Sequence, residues 1–454
     1  MSENVGEDVM FYSAVSRERV EMSEKLFKVL TVILNNIHQT EFSERFWSII
    51  TAPYVSAVVS NRKVMEKKDL LADPPFEAFV GTVMPGRMLL RYHLIRNTVK
   101  LLFNFGSQSK TFSTIRKHKK IAIGFHKDDG ILNETDVIIR AFYPFIVPLR
   151  PNNFFRKPFS NSFDFFSDAF ISNLVKLMPK LYIEHFMEIY KNIPLHNPLE
   201  KSFHVCGLEN FFISLVVAKY AEHGSKIYYY QHGGFYGEYE YHSAHRFESK
   251  IADNFFTWGW KMFPNDNPYK AFRCEKFKKI YVSKSSIKYD ILLVFPTVDG
   301  KTRKSIMNST SVFLSNLDRN KYKTICARPR PNSLFNRKSA ISFLKDRVDK
   351  IDSAYGPVAK LISRSGLVIQ ISYPSTNMLE CFYVDHPVVA ILENTEPSSI
   401  VKPYYDFFLE NGVFHIDMER LTNHINSINL EKWWQEIVAH PTYQQFKYKF
   451  LRKV

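Results

Sequence analysis

Apolar positions near the start of the chain recur at the spacing of one helix face: Leu26, Val29, Leu30, Ile33 and Ile37 align and predict a helix. Ser43 suits the N-cap of a second helix over 44–50, which Pro53 interrupts or restarts. Residues 74–85, bounded by prolines, read as a linker. From about residue 120 the pattern changes to short apolar runs between turn residues, at 121–125, 203–206, 227–230 and 254–257. Such runs predict buried parallel strands, and the helix-length segments between them, clearest at 210–222, predict strand–helix alternation. The Phe- and Ser-rich stretch 154–170 has no clean period, and 276–288 reads as a basic connector. Beyond it the alternation restarts at 290–295 and continues with strands at 322–327, 367–371, 388–392 and 413–416. Residues 431–451 are again helical in length.

This order predicts two Rossmann-type α/β domains facing a cleft, with a helical N-terminal elaboration and a C-terminal helix. The expected boundaries are 1–285 for the first domain, 286–430 for the second, and 431–454 for a helix that packs back across the cleft. A chain of 454 residues has room for two such cores.

Composition narrows the class. With 45% hydrophobic and 23% charged residues the chain matches a soluble globular protein, and no run of 18 apolar residues occurs. The acidic opening, with Glu3, Glu7 and Asp8 and no apolar core, does not read as a secretory signal peptide. Cys206, Cys274, Cys326 and Cys381 are far apart and form no C-x-x-C pair, so neither a disulfide framework nor a zinc knuckle is expected and a reducing cytoplasm fits. The net charge of +16 implies an anionic partner: nucleic acid, a phosphorylated metabolite or an acidic membrane surface. Basic–aromatic interleaving at Phe446-Lys447-Tyr448-Lys449-Phe450 suits a peripheral helix in a headgroup layer; the alternative is an aromatic core beneath a basic surface.

Three clusters follow predicted strands, where open α/β sheets place their ligand loops. The first is Gln231-His232-Gly233-Gly234-Phe235-Tyr236-Gly237, in which the glycines permit close backbone approach and the turn presents His232. The second is Arg328-Pro329-Arg330-Pro331, two guanidiniums on a proline-stiffened turn suited to phosphate oxygens, or else an exposed basic turn. The third runs from Ser372 through Ser375 and Thr376 to Glu380, where hydroxyls and free N–H groups at a helix start favour phosphate and Glu380 can accept from ribose hydroxyls. Its alternative is a helix cap at Ser375 or Thr376 with a surface carboxylate at Glu380. For a general base, His232 leads; Asp128, Asp129 and Glu209 are the carboxylate candidates, each also compatible with a turn or a cap. No Asp-x-Asp pair of metal-dependent sugar transferases is evident, so no metal and no cofactor is expected.

The string Gln231-His232-Gly233-Gly234-x-Tyr236-Gly237, the downstream Thr257-Trp258-Gly259-Trp260 and the early Arg45-Phe46-Trp47 resemble the transferases of bacterial surface-polysaccharide clusters, a family first labelled from a Leptospira protein. More distantly the chain resembles two-domain GT-B enzymes with cytidine-nucleotide donors: the CMP-Kdo and polysialic acid transferases and the CDP-glycerol phosphotransferases. The resemblance implies a GT-B-like fold with His232 on an acceptor-side loop that includes Gln231, Gly233, Gly234 and Tyr236. It places Arg328, Arg330, Ser372, Ser375, Thr376 and Glu380 at the donor. Arg330 stands where many relatives carry His, which keeps phosphate binding but removes the usual acid.

The implied reaction is transfer of a CMP-linked Kdo- or nonulosonate-type sugar to a glycan or lipid-linked glycan of O-antigen or capsule. It would take place in the cytoplasm or at the inner face of the membrane, without nucleic acid. A CDP-polyol phosphotransferase is the second reading, and a non-catalytic nucleotide- or nucleic-acid-binding protein the third.

Overall fold

The computed structural model describes residues 17–60, 62–65, 112–124, 137–139, 163, 166–208, 211–234, 236–281, 287–296, 300–329, 341–353, 356–373, 375–392 and 396–451. The chain divides into two compact units. The first holds residues up to Tyr230 together with Tyr241–Phe256, and the second holds Gln231–Glu240 and Thr257–Val454.

In the first unit, strands β1 (Lys120–Ile123), β2 (Val137–Ile139), β3 (Ser202–Val205), β4 (Lys226–Tyr230) and β5 (Asn254–Thr257) lie in the order 2-1-3-4-5. Every pairing among these five is parallel. β1, β3, β4 and β5 fall on the predicted apolar runs; β2 is three residues long, too short to give a period. The helix Phe211–Glu222 is buried on nearly every face, as a helix covering a parallel sheet must be.

The N-terminal helices form as the periodicity predicts. Helix Arg17–His38 buries Leu26, Val29, Leu30 and Ile33. Ser43 Oγ accepts from the Phe46 N–H at 3.1 Å, and the helix Glu44–Ser60 runs straight through Pro53 instead of stopping there. Burial of Trp47, Ile49, Ile50, Tyr54, Val55 and Val58 outweighs the one missing N–H.

The Arg45-Phe46-Trp47 string is what fastens this elaboration. Arg45 donates to the Ile251 carbonyl and, at 2.7 Å, to Asp253, while Trp47 Nε1 donates to Asn35 Oδ1 at 2.8 Å. Burial alone would raise the pKa of Asp253. The Ile227 N–H, Arg45 and Lys226 outweigh it and hold the carboxylate below its ordinary value.

The second unit contains the short strand β6 (Asp266–Pro268) and then β7 (Tyr289–Val294), β8 (Ile325–Arg328), β9 (Lys350–Ile351), β10 (Ser365–Tyr373), β11 (Val388–Leu392) and β12 (Phe414–His415). Its sheet has the order 9-8-7-10-11-12, all parallel, which is the Rossmann order 3-2-1-4-5-6. Ile291, Leu293, Ile325, Leu367, Ile369 and Val389 form its core, covered on one side by Phe313, Leu317, Leu421 and Ile425. The chain order reverses between β7 and β10, so the ligand crevice is expected outside their carboxyl ends. β10 leads directly into Ser375 and Thr376.

Two expectations are corrected here. The basic connector 276–288 is helix in its first half, since Phe272–Tyr281 is helical and turns Cys274 and Phe277 inward. Nor is the basic–aromatic segment of the helix Pro441–Phe450 a lipid-facing surface. Phe446, Lys447 and Phe450 are buried, and Lys447 Nζ reaches Asp385 Oδ1 at 2.5 Å, beside the Tyr443 hydroxyl at 3.0 Å from the same oxygen. The aromatic rings are core, packed on Phe382, Phe408 and Tyr404 of the second unit. Only Tyr448 is strongly exposed there. Among the described residues no helix is long and apolar enough to cross a membrane.

Candidate active site

The glycine turn after β4 belongs to the second unit, and its side-chain contacts show why. Gln231 is buried; its Nε2 donates to the Gly233 carbonyl at 2.8 Å and its Oε1 accepts from the Trp258 N–H at 2.9 Å. Ser398 donates to the Gly237 carbonyl and Tyr405 to Glu238 Oε2. Gly237 has φ +75°, and a Cβ there would lie 2.6–2.8 Å from the Trp260 ring. The Thr257-Trp258-Gly259-Trp260 string is therefore the bed on which the turn lies, which accounts for both motifs occurring together.

On the other side the turn meets the start of the helix Thr376–Tyr383. The Gly234 N–H donates to Thr376 Oγ1 at 2.9 Å. A Cβ on Gly233 would come within 3.2 Å of that hydroxyl, and one on Gly234 within 3.3 Å of the Ser375–Thr376 peptide. Glycine suits both positions, because at Gly234 backbone lies on backbone and at Gly233 the Thr376 hydroxyl approaches closely. Ser375 is the N-cap and accepts from the Asn377 N–H at 3.2 Å, so its hydroxyl caps the helix as the simpler reading held. Thr376 holds the turn. Ser372 lies near the end of β10, where the register with β11 shifts between Gln370 and Tyr373.

His232 projects from this turn with Nδ1 3.1 Å from the Tyr236 hydroxyl, the two rings edge to face. An edge of the residue stays accessible, but the surrounding protein desolvates the ring and Arg273 repels a second positive charge. Its pKa is drawn down to about 3, and the imidazole is neutral at physiological pH.

Glu380, one turn into the helix, is shifted the opposite way. Burial pushes its carboxyl up to about 8, with Arg273 opposing in part, and Oε2 is buried without a hydrogen-bond partner. The surface-carboxylate alternative does not hold. The folded protein keeps this proton where the unfolded chain, at the ordinary 4.5, has lost it. The stabilising contribution is therefore complete below about pH 4.5 and lost as pH rises through about 8. Glu380→Gln should flatten the fall in melting temperature across that window; an unchanged slope would show that the carboxyl ionises normally.

Arg273 is the residue that the sequence did not reveal. It lies in the first turn of the helix Phe272–Tyr281, which packs against the helix Thr376–Tyr383, and its charge acts on both His232 and Glu380. The buried stripe Ala271, Cys274, Phe277 was the available signal for this helix.

Arg328 ends β8 and is half-buried in a pair with Asp352 at 2.8 Å, with a second bond to the Gly356 carbonyl. Part of its guanidinium is thus committed within the unit. Arg330 lies outside the described residues, as do Asp128, Asp129 and Glu209. Arg328→Ala is expected to cost about 1–3 kcal/mol of stability by removing the ion pair to Asp352 and the bond to the Gly356 carbonyl. Arg330→Ala should weaken nucleotide binding, read by calorimetry with CMP; unchanged affinity would leave the Arg-Pro-Arg-Pro segment a basic turn.

Two parallel Rossmann-type sheets in one chain, with a glycine turn seated on a helix start at a strand end, define a GT-B-like α/β protein. The chain belongs to the LIC12162 family of transferases, whose model matches residues 105–454. No curated protein matches it in sequence. Among solved structures it is similar to the UDP-GlcNAc 2-epimerase from Neisseria meningitidis bound to UDP-GlcNAc, with 11% identity over 73% of this chain and 99% of that one and a TM-score of 0.41. It is also similar to Anabaena HepE in complex with UDP and glucose, at 10% identity over 73% and 96% of the two chains and a TM-score of 0.38. The wall teichoic acid polymerase TagF matches at 13% identity over 56% and 69%, with a TM-score of 0.32.

Proposed function

We propose that this transferase moves a sugar from a nucleotide donor to a surface-glycan acceptor, with a CMP-linked Kdo- or nonulosonate-type acidic sugar as donor. The observation that carries the proposal is the neutral His232, held on a glycine turn whose backbone is bonded to the helix start at Thr376. A proton acceptor and an anion-favouring helix start are thereby held in one unit. In the reaction, the acceptor hydroxyl attacks the anomeric carbon and gives its proton to His232. The bond from that carbon to the phosphate oxygen breaks, and CMP leaves with the electron pair.

A ring with a pKa near 3 is a weak base. Burial is the larger cause and the Arg273 charge the smaller; a donor phosphate beside Arg273 offsets the second, so the base strengthens when the donor is bound. Tyr236 orients the ring through Nδ1.

Incubation with CMP-Kdo, CMP-N-acetylneuraminic acid and CDP-glycerol, followed by mass analysis of the acceptor, tests this reading. Addition of a sugar is the expected result. Addition of glycerol phosphate would replace it with the phosphotransferase reading, since CMP is released in both cases. Nucleic-acid binding that falls steeply with salt, with no nucleotide binding, would favour the non-catalytic alternative.

A further inference from the structure

The first turn of the helix Phe272–Tyr281 carries a guanidinium that has no carboxylate partner among the described residues. Arg273 is half-buried, its Nε is shielded from solvent and has no hydrogen-bond partner, and among the described residues no carboxylate lies within ion-pair distance. Its acidic neighbour is Glu380, on the helix packed against it. Oε2 of Glu380 is also buried and unbonded, so these two atoms do not satisfy each other. Burial keeps Glu380 protonated through neutral pH, and His232, which also feels the Arg273 charge, is neutral as well. A partly desolvated cation flanked by two neutral groups is costly unless an anion joins it. Structural arginines in this protein look different: Arg45 and Arg328 each pair with an aspartate and also donate to a backbone carbonyl.

We propose that Arg273 binds an oxyanion of the substrate, phosphoryl or carboxylate, beside His232 and the start of the helix Thr376–Tyr383. Arg is suited to this because its planar fork presents two donors to two oxygens at once. The group is a phosphate of the nucleotide or the carboxylate of an acidic sugar, and the chemistry of recognition is the same. The inference rests on the transferase reading for the identity of the substrate. It does not rest on that reading for the existence of the anion site.

Titration calorimetry on the full chain with pyrophosphate, CMP, cytidine and free N-acetylneuraminic acid tests it. Wild type should bind at least one of the anions, and Arg273→Gln should weaken that binding roughly tenfold to a hundredfold, the scale of a charge-assisted contact. Arg273→Lys should recover part of the loss. Cytidine, which has no anionic group, should be unaffected. A loss confined to pyrophosphate and CMP assigns the site to phosphate, and a loss confined to the free sugar acid assigns it to carboxylate. Melting temperature checks the variants; an unfolded Gln variant shifts the comparison to Lys, which should still bind the anion several-fold more weakly than wild type.

Wild-type affinity for every anion in a folded Gln or Lys variant overturns the proposal, as does a wild type that binds none of them. Binding of pyrophosphate through Arg273 with no nucleotide bound would leave the anion site standing and reject the nucleotide-transferase reading.

Discussion

His232→Ala should lower turnover by roughly 10² to 10⁴-fold and leave nucleotide affinity nearly unchanged, the outcome expected if the proposed general base is lost. The reason is local. The ring contributes no charge to the resting site, since burial and Arg273 hold it neutral. The contacts that hold the turn, from the Gly234 N–H to Thr376 Oγ1 and from the Trp258 N–H to Gln231 Oε1, do not involve the His232 side chain. What disappears is the proton acceptor alone. Tyr236→Phe, which removes the hydroxyl 3.1 Å from Nδ1 but keeps the ring packing, should cost less than His232→Ala. Because the free ring titrates near 3, no acid limb at the usual histidine value of 6.5 should appear in the free enzyme's pH profile. Asp129→Asn and Glu209→Gln are the companion variants. If one of them abolishes turnover while His232→Ala retains it, the base is that carboxylate and the turn is structural.

The largest stability effect is expected at Gly237. Alanine there meets two penalties, a left-handed φ of +75° and a Cβ 2.6 Å from the buried Trp260 ring. The first costs about 1–2 kcal/mol and the second about 1–3 kcal/mol. Together they correspond to a fall in melting temperature of roughly 5–15 °C for a unit of this size. Gly237→Ala should cost less in a Trp260→Leu background than in wild type, because the smaller side chain relieves the clash and leaves the backbone cost. An equal cost in both backgrounds would place the whole penalty in the backbone. Since this turn carries His232, the single variant should also reduce turnover at temperatures where the protein stays folded.

Much of the architecture is written locally. Runs such as 227–230 and 388–392 reveal themselves because a strand largely buried on both faces is continuously apolar, and the helix stripe from Leu26 to Ile33 because one face of it is buried. β2, β6 and β9, at two or three residues each, are too short to carry a period. Pro53 misleads because its cost is local, whereas the burial that overrides it comes from distant partners. The segment 446–450 misleads for a similar reason: lysines between aromatics look like a headgroup face until Asp385, some sixty residues earlier in the chain, takes Lys447 out of solvent.

The glycines, histidine and hydroxyls of the site are likewise legible, because a turn that backbone must approach closely leaves few residue choices. By itself, then, the sequence determined the two α/β halves, the positions of most strands, and the turns at strand ends where chemistry is expected. Only the tertiary structure decided which unit the His232 turn belongs to, through Trp258, Trp260, Ser398 and Tyr405, and that Ser375 caps while Thr376 ties the turn down. It alone placed Arg273 beside His232 and buried Glu380 with them. Periodicity reports which side of an element faces the core, but charge and desolvation depend on what lies across the gap, and those neighbours are far away along the chain: Arg273 is 41 residues from His232 and 107 from Glu380.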